Sequence, residues 1–282
     1  MEDKSEKNDF ELRLKIMNKI AEKKGHLNNN EIYSNLKKLG ATNSIKTDKF
    51  SSKPWKIKDQ KNAPEMTLIE GGAFMMGSTR GVDSYATSYE MPIRLVTIKP
   101  FFISTFPVTQ VEWLEVMGTM PSDKWGRNFP VTNVSWIDCQ IFVEKLSAMT
   151  QRPYRFPTEA EWEFSARANS PTIYHHGNDE NQLSLYSCFN CDSIQEVGTK
   201  LPNQFGLHDM HGLVEQWVQD SWHENYENAP TDGSAWDDAN SNLKVCRGDS
   251  WNARPRDIRS ASRTSYSKSQ HMRYNGFRVA RD

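Results

Sequence analysis

The C-terminal 39 residues, 244–282, constrain the fold of this 282-residue chain more than any other part of its sequence. Two strand-like pieces, Lys244–Trp251 and Gly276–Ala280, bracket an irregular run of about twenty-five residues. A loop of this length inside a compact domain is usually functional or disordered. The fold is therefore expected to fix both ends of a long loop, and the function is expected to lie in that loop.

Composition favours a globular protein that recognises something other than nucleic acid. Hydrophobic residues make up 37% and charged residues 25% of the chain, and its nine Trp, nine Tyr and thirteen Phe can bury large areas. The net charge is −1, but residues 244–282 carry ten Lys/Arg against three Asp/Glu. Because these arginines occur singly among small residues, we interpret them as groups that tie an irregular loop to carboxylates, and we expect no nucleic-acid partner.

Local signals predict an α+β fold with little regular secondary structure and long ordered loops. Strands are predicted over Met66–Glu70 and Arg94–Ile103, where β-branched and aromatic residues are frequent. Three helix starts carry a hydroxyl residue followed three positions later by an acid, the capping-box pattern. These pairs are Thr109 with Glu112, Ser135 with Asp138, and Thr158 with Glu161. The first helix is predicted to end at Gly118 and the third before Pro171, after which turn-forming residues dominate.

Residues 1–60 differ from the rest of the chain. Two short apolar patterns at helical spacing end at Gly25 and Gly40, and both segments are rich in lysine. We predict a Lys-rich helical and linker appendage over residues 1–60 and a separate domain over residues 64–282. The sequence shows neither a run of eighteen apolar residues nor a signal peptide, so membrane attachment is expected only through a removed N-terminal anchor, if any.

Eight motifs occur in an order that resembles the formylglycine-generating enzyme (sulfatase-modifying factor) family. They are Gly71–Ser78, Glu90–Val96, Phe106–Gln110, Pro130–Trp136, Tyr154–Arg167, Pro202–Gly212, Arg247–Trp251 and Gly276–Arg278. The resemblance covers residues 64–282 and implies a C-type-lectin-like fold of the formylglycine-generating-enzyme type.

The resemblance also implies where catalysis would take place. Authentic enzymes of the family oxidise a substrate cysteine with copper held by two cysteines, because soft thiolates suit Cu(I). Carried over to this sequence, the first of these positions is Ala253 and the second falls near Ile258. Since neither side chain can bind copper, we expect no copper, no catalytic residue and no oxidase activity.

Metal binding elsewhere is expected to be degenerate. Family members bind calcium through loop oxygens, and one such site carries over to the Asp209 carboxylate, the Gly212 and Val214 carbonyls, and Gln216 in place of an acid. This replacement removes a ligand charge, so calcium is predicted as possible only at a weakened site. Cys188-Phe-Asn-Cys191 is interpreted as a pair of packed or disulfide-capable loop cysteines, with a redox pair and a metal site as alternatives.

Without copper ligands, the fold still presents the run 252–275 as a surface for binding. This layout is similar to that of the variable proteins of diversity-generating retroelements, in which codons near the C-terminus are rewritten between an Arg-Gly-Gly-Ser-Trp-like start and a Gly-Phe-Arg end. Tyr, Ser, Arg and His also suit a binding surface, because they combine rigid contact area with adaptable hydrogen bonding. The predicted ligand-binding residues are Trp251, Ala253, Arg254, Asp257, Ser262, Thr264, Ser265, Tyr266, His271, Met272 and Tyr274. Arg247, Arg259, Arg263 and Arg278 are predicted to belong to the scaffold instead.

The sequence therefore predicts a monomeric, non-catalytic protein on a bacterial cell surface or in the periplasm, binding an unidentified protein or surface ligand. Two alternatives stay open. One is a formylglycine-generating-type oxidase that uses residues other than cysteine. The other is a structural lipoprotein of a secretion or motility apparatus, since this fold also occurs there without copper.

Overall fold

The structure, a computed structural model, describes residues 54–282, and within them no helix is long and apolar enough to cross a membrane. Most of the predicted appendage, as far as Lys53, lies outside the described residues. Strand β1 (Lys56–Ile57) pairs antiparallel with β2 (Met66–Ile69). The compact unit accordingly begins at Pro54, before the predicted start at residue 64.

Four α-helices lie between residues 110 and 186 of this unit. They are α1 (Gln110–Met117), α2 (Trp136–Thr150), α3 (Glu159–Arg167) and α4 (Leu183–Tyr186). The three predicted capping boxes are confirmed at the starts of α1, α2 and α3, where hydroxyl and acid satisfy free backbone N–H groups reciprocally. Gly118 ends α1 as predicted, with the left-handed φ of 73° that favours glycine.

Within residues 54–282, ten strands form three sheets. The remaining strands are β3 (Gly72–Met76), β4 (Arg94–Ile98), β5 (Phe101–Ser104), β6 (Glu215–Ser221), β7 (Leu243–Arg247), β8 (Arg263–Ser267), β9 (Asn275–Phe277) and β10 (Ala280–Arg281). One sheet has the order β1-β2-β5-β10, a second pairs β3 with β4, and the third has the order β8-β7-β6-β9. In the third sheet β6 and β9 are parallel, whereas the other pairs are antiparallel. The α+β fold class is confirmed.

The structure corrects the predicted strands at two places. The long strand over Arg94–Ile103 is divided into β4 and β5, because Pro100 between them has no N–H to donate to a ladder. The second place is the C-terminal segment. Strand β7 ends at Arg247 rather than at Trp251, and strand β8 interrupts the predicted irregular run and pairs along the whole of β7.

The third sheet is buried on both faces. On one face Trp217, Cys246 and Phe277 pack in a core with helix α2, and the Trp217 indole donates to the Val134 carbonyl at 3.1 Å. On the other face Val245 packs in the second large core, which includes α3. A polar side chain on β6 or β9 must therefore find its hydrogen-bond partners inside the protein.

Candidate functional site

Buried arginines fix the strands that carry the C-terminal segment. On β7, Arg247 lies 2.5 Å from the Glu163 carboxylate and 3.2 Å from that of Glu159, both on α3. On β8, Arg263 donates two hydrogen bonds to the two carboxylate oxygens of Glu159, at 2.6 and 2.9 Å. Because planar guanidinium groups match carboxylates in this geometry, α3 holds β7 and β8 in a fixed position.

Two further arginines complete this scaffold. Arg259 binds Asp83 at 2.6 Å and Glu90 at 2.8 Å, which ties the C-terminal segment to an earlier loop. Arg278 donates to the carbonyl of Ser104 at 2.8 Å and to that of His208. The prediction that four arginines belong to the scaffold is thus confirmed for Arg247, Arg259, Arg263 and Arg278.

The two positions carried over from copper cysteines lie in an apolar cluster. Ala253 and Ile258 are both buried and pack with Tyr174 and Leu183. The Ile258 carbonyl accepts a hydrogen bond from the His211 Nδ1 at 2.8 Å. These aliphatic side chains do not fit a copper ion, which needs soft electron-pair donors. Ala253 was also predicted to contact a ligand, and that prediction is wrong, because its methyl group faces this cluster and supports the surface from beneath.

The cysteines of the described residues lie elsewhere. Cys139 and Cys246 belong to the core beside α2. The Cys188 and Cys191 Sγ atoms lie 3.0 Å apart, and Cys191 donates its backbone N–H to the Trp251 carbonyl at 2.8 Å. Burial raises the pKa of the Cys188 thiol, so little of the reactive thiolate is present at neutral pH. The two thiols are therefore packed close together in a loop that is hydrogen-bonded to the start of the C-terminal segment, close enough for a disulfide to form on oxidation.

At the predicted calcium site, the Gln216 side chain makes hydrogen bonds with other groups of the protein. The Gln216 Nε2 donates to the Asp209 carbonyl at 2.8 Å and lies 3.5 Å from that of Val214. The Gln216 Oε1 accepts from Trp162 at 2.9 Å and from Arg278 at 2.8 Å. An amide donor and the Arg278 guanidinium thus lie where the resemblance places a charged acid, which disfavours a cation at this position.

The carboxylate expected at the same site is only partly satisfied by the protein. The Asp209 Oδ2 accepts the Gly198 N–H at 2.7 Å, whereas its Oδ1 has no partner among the described residues. Burial raises the pKa of Asp209 to about 6. Gly212 is required by the backbone here, since at its φ of 76° an added Cβ would lie 2.2 Å from the Cys188 carbonyl oxygen.

Calcium is expected to leave the melting temperature of the wild-type protein unchanged, whether it is added or removed with a chelator. The Gln216→Glu variant keeps an acceptor for Trp162 and Arg278 but replaces the amide donor by a charge, so its melting temperature should rise with calcium concentration. Scanning fluorimetry measures both. The exposed Gln151→Glu variant is the matched control, and a loss of wild-type stability on chelation would contradict this account.

The predicted binding residues near the start of the segment form one exposed group. Arg254 is 65% exposed and pairs with Asp257 at 2.8 Å. Trp251 is half-buried, and its backbone N–H donates to the Leu213 carbonyl at 3.1 Å. Ser262 is half-buried just before β8. The structure therefore pairs Arg254 with Asp257, while a backbone hydrogen bond holds the half-buried Trp251 to the loop before β6.

The residues on β8 and after it form a second group. Because side chains alternate along a strand, Thr264 and Tyr266 share one face of β8, whereas Ser265 lies on the other. His271 is 52% exposed, with its Nε2 2.8 Å from the Asp138 carboxylate at the start of α2. Met272 and Tyr274 follow as half-buried residues. The predicted set is therefore not one continuous patch, since Ser265 is separated from its neighbours.

The structure adds one residue that the sequence analysis missed. Glu215 begins β6 and is 1% exposed. Its Oε1 accepts a hydrogen bond from the Thr264 hydroxyl, and the Tyr266 phenol is a second hydrogen-bond partner of the carboxyl group. Burial and the nearby Asp249 carboxylate raise the pKa of Glu215 to about 8. A buried acid with this pKa holds its proton at neutral pH, and such groups concentrate at functional sites.

Two neighbours extend this acidic site. Asn275 lies opposite Glu215 in the parallel β6–β9 pair, is fully buried, and has no hydrogen-bond partner for its Oδ1. Asp249 is half-buried, and burial raises its pKa. Burial first, and the Glu215 carboxylate when it is ionised, raise the pKa of the Tyr266 and Tyr274 phenols. Of the second group, Thr264, Tyr266 and Tyr274 thus lie near the Glu215 carboxyl group.

Comparison with known proteins gives these features a context. A family model described as the sulfatase-modifying factor enzyme 1-like domain matches residues 53–282. The serine/threonine-protein kinase pkn1 of Chlamydia pneumoniae is 30% identical over 261 residues, which cover 84% of this chain and 40% of that protein. The chain thus spans about two fifths of the length of that relative. The inactive C-alpha-formylglycine-generating enzyme 2 of Bos taurus is 26% identical over 247 residues, covering 66% of this chain and 76% of that protein.

Two solved structures share the fold. PvdO from Pseudomonas aeruginosa is 32% identical, with a TM-score of 0.76 over 82% of this chain and 100% of that chain. Treponema denticola variable protein 1 is 23% identical, with a TM-score of 0.71 over 82% of this chain and 99% of that chain. At that identity the second likeness concerns the fold alone. Together with the family match, these likenesses confirm the predicted C-type-lectin-like fold of the formylglycine-generating-enzyme type.

Proposed function

The chain belongs to the sulfatase-modifying factor enzyme 1-like family, and within that family we propose that it is a non-oxidase member that binds a protein or surface ligand through its C-terminal segment. The family includes relatives named as inactive, so the fold also occurs without the oxidase activity. We place the ligand-binding surface on the exposed side of residues 251–274.

One observation carries this proposal: the segment is divided into an inner side and an outer side with different chemistry. The inner side holds Ala253 and Ile258, whose aliphatic side chains pack where relatives of the enzyme type would hold copper. The outer side holds Arg254 and His271, both more than half exposed. A segment whose inward residues only pack and whose outward residues are polar is suited to recognition.

The scaffold would allow such a surface to vary in sequence. Arg247 and Arg278, at the two ends of the segment, are fully buried and bound to groups outside it. Exposed residues between these anchors contribute little to the core, so their replacement is expected to cost little stability. We therefore include retroelement-driven diversification in the proposal, together with a bacterial cell-surface or periplasmic location in which residues 1–60 act as a stalk.

The binding function can be tested by displaying a library randomised at Trp251, Arg254, His271 and Tyr274 and selecting it against purified lysozyme as an arbitrary target. We expect folded members with specific binding. A library randomised at four exposed positions away from the segment, Arg152 among them, is the matched control. Loss of folding in most members of the first library, or equal yields of binders from both libraries, would contradict the proposal.

The absence of oxidase activity is tested separately. The purified chain, loaded with copper under oxygen, is expected to leave a cysteine-containing sulfatase peptide unmodified in mass spectra. Conversion of that cysteine to formylglycine would overturn the non-oxidase assignment.

The genome provides a test of diversification. A reverse transcriptase gene and a near-copy of the 244–282 coding region differing at adenines support it, and their absence beside the gene removes that part of the proposal alone.

A further inference from the structure

We propose that Cys188 and Cys191 form a redox-active dithiol that exchanges with disulfides of low molecular weight, and that the resulting internal disulfide tightens the anchor of the C-terminal segment. This inference goes beyond the proposed binding function and does not depend on it. The co-reactant is a small disulfide, for which oxidised glutathione is a convenient probe.

The first argument concerns the distance between the two sulfurs. The Cys188 and Cys191 Sγ atoms lie 3.0 Å apart. The sulfurs of a disulfide lie about 2.0 Å apart, so closure requires an approach of about 1 Å. The other two cysteines, Cys139 and Cys246, are fully buried in the core beside α2 and are shielded from any reagent.

A structural metal site would use the same pair differently. A structural zinc ion takes four ligands, of which Cys188 and Cys191 would supply two. Within residues 54–282, no three acids, histidines or cysteines are grouped so that they could hold a metal ion. The surroundings of the pair therefore favour thiol chemistry over zinc.

The second argument concerns access, which differs between the two thiols. Cys188 is 1% exposed, whereas Cys191 is only half-buried. The Gln195 Nε2 donates to the Cys191 Sγ at 3.6 Å, a contact that favours negative charge on that sulfur. An incoming disulfide thus reaches Cys191 first, with Cys188 behind it as the resolving thiol.

The reaction takes place in two exchange steps. The Cys191 thiolate attacks one sulfur of the small disulfide, whose S–S bond breaks as the mixed disulfide forms, and the leaving thiolate takes up the proton that Cys191 lost. Cys188 then gives up its proton and attacks the Cys191 Sγ, which releases the second small thiol. The protein dithiol loses two electrons, and one small disulfide is reduced to two thiols. Because the two cysteines are already in contact, the second step is intramolecular and favoured by proximity.

The third argument concerns what the Cys188–Cys191 loop holds. The Cys191 backbone N–H donates to the Trp251 carbonyl at 2.8 Å, and that of Asn190 donates to the Ala253 carbonyl at 3.0 Å. On the other side, the Cys188 carbonyl accepts a backbone N–H from the loop before β6 at 2.9 Å. The loop thus joins the start of the C-terminal segment to the start of the third sheet. A covalent link between its two ends restricts the open conformations in which these hydrogen bonds are broken.

Intact-mass spectrometry of the full chain, after incubation with oxidised glutathione, tests the exchange. The wild type is expected to lose the mass of two hydrogen atoms, with the disulfide mapped to Cys188 and Cys191. Cys188→Ser should stop at a glutathione adduct on Cys191 that a reducing agent removes. Cys191→Ser, the matched variant, should stay unmodified because Cys188 is shielded. A wild type that keeps its thiols or stops at an adduct, or a Cys191→Ser variant that reacts as readily as Cys188→Ser, would overturn the proposal.

A second measurement uses the wild-type chain alone, in case a serine variant does not fold. Amide hydrogen exchange is followed by NMR in the reduced and the oxidised forms. The Asn190 and Cys191 amides, which donate to the C-terminal segment, are expected to exchange about tenfold more slowly after oxidation. The Gly118 amide, which donates to the Leu114 carbonyl at the end of α1, is the internal control and should exchange equally in both forms. Equal rates for Asn190 and Cys191 in the two forms would contradict a tightened anchor.

Discussion

Replacing Arg247 by methionine is expected to lower the free energy of unfolding by about 3–5 kcal/mol, the range for removing one partner of a buried ion pair. The Arg247 side chain is fully buried and binds both Glu163 and Glu159. Methionine keeps much of the volume but leaves the Glu163 carboxylate with Arg167 as its only remaining cation. This substitution should therefore destabilise the domain far more than the loss of packing alone would.

Urea unfolding of the wild type and Arg247→Met gives the difference directly. Arg254→Met is the matched control, because Arg254 is 65% exposed and its pair with Asp257 should contribute less than about 1 kcal/mol. Equal losses in the two variants would contradict the division of the arginines into scaffold and surface.

The effect of Arg247→Met should also depend on pH. Burial alone would raise the pKa of Glu163, but Arg167 and Arg247 hold it below its ordinary value of 4.5. A lowered folded-state pKa contributes stability that is present above the unfolded-state pKa and is lost as the pH falls through the folded-state pKa. The difference between wild type and variant is therefore expected to be full at neutral pH and to shrink below pH 4.5.

Much of this scaffold could be predicted from local patterns. A capping box is a contact between residues three positions apart, so Thr158 and Glu161 specify the start of α3 without help from the rest of the fold. The motif resemblance extended this reasoning to long-range pairs, since it assigned Arg247 to the scaffold before its carboxylate partners, 84 and 88 positions earlier in the chain, were known.

The rest depended on contacts that no local pattern contains. Strand β8 has the polar sequence Arg-Thr-Ser-Tyr-Ser, without the apolar alternation that predicts a strand, and it forms because β7 offers a free edge and Glu159 binds Arg263. Ala253 was placed on the surface because polar residues surround it in the sequence, whereas its backbone directs the methyl group inward.

Glu215 was missed for a related reason, although a signal was present. In the family motif that begins at Asp209, the position of Glu215 is ordinarily a tryptophan, so an acid replaces a large apolar side chain in a strand next to Trp217. A departure of this kind places an ionisable side chain at a position that the fold buries, and buried acids without an ion-pair partner are uncommon in proteins. The sequence alone does not show what this acid contacts, because its neighbours Thr264, Tyr266 and Asp249 meet it only in three dimensions.

Replacing Glu215 by glutamine is expected to make the protein more stable than the wild type at alkaline pH. The pKa of Glu215 is about 8 in the folded protein, against an ordinary value of 4.5. When the folded-state pKa is raised, the folded state holds a proton that the unfolded state has released, so stability falls as the pH rises between these two values. At 1.36 kcal/mol for each pKa unit, ionising Glu215 costs the folded state on the order of 4–5 kcal/mol by pH 9. Glutamine has no proton to lose.

Urea unfolding at pH 5, 7 and 9 should therefore give nearly equal stabilities at pH 5 and a growing advantage for Glu215→Gln above it. Asp209 and Asp220, with pKa values raised by burial to about 6 and about 7, add slopes of the same sign, but both variants retain them. The difference between the two curves isolates Glu215 for that reason. Glu144→Gln, at an exposed position, should follow the wild-type curve throughout. A constant offset between wild type and Glu215→Gln at all three pH values would mean that the Glu215 carboxyl ionises with its ordinary pKa, and that hydrogen bonds rather than proton uptake determine its contribution to stability.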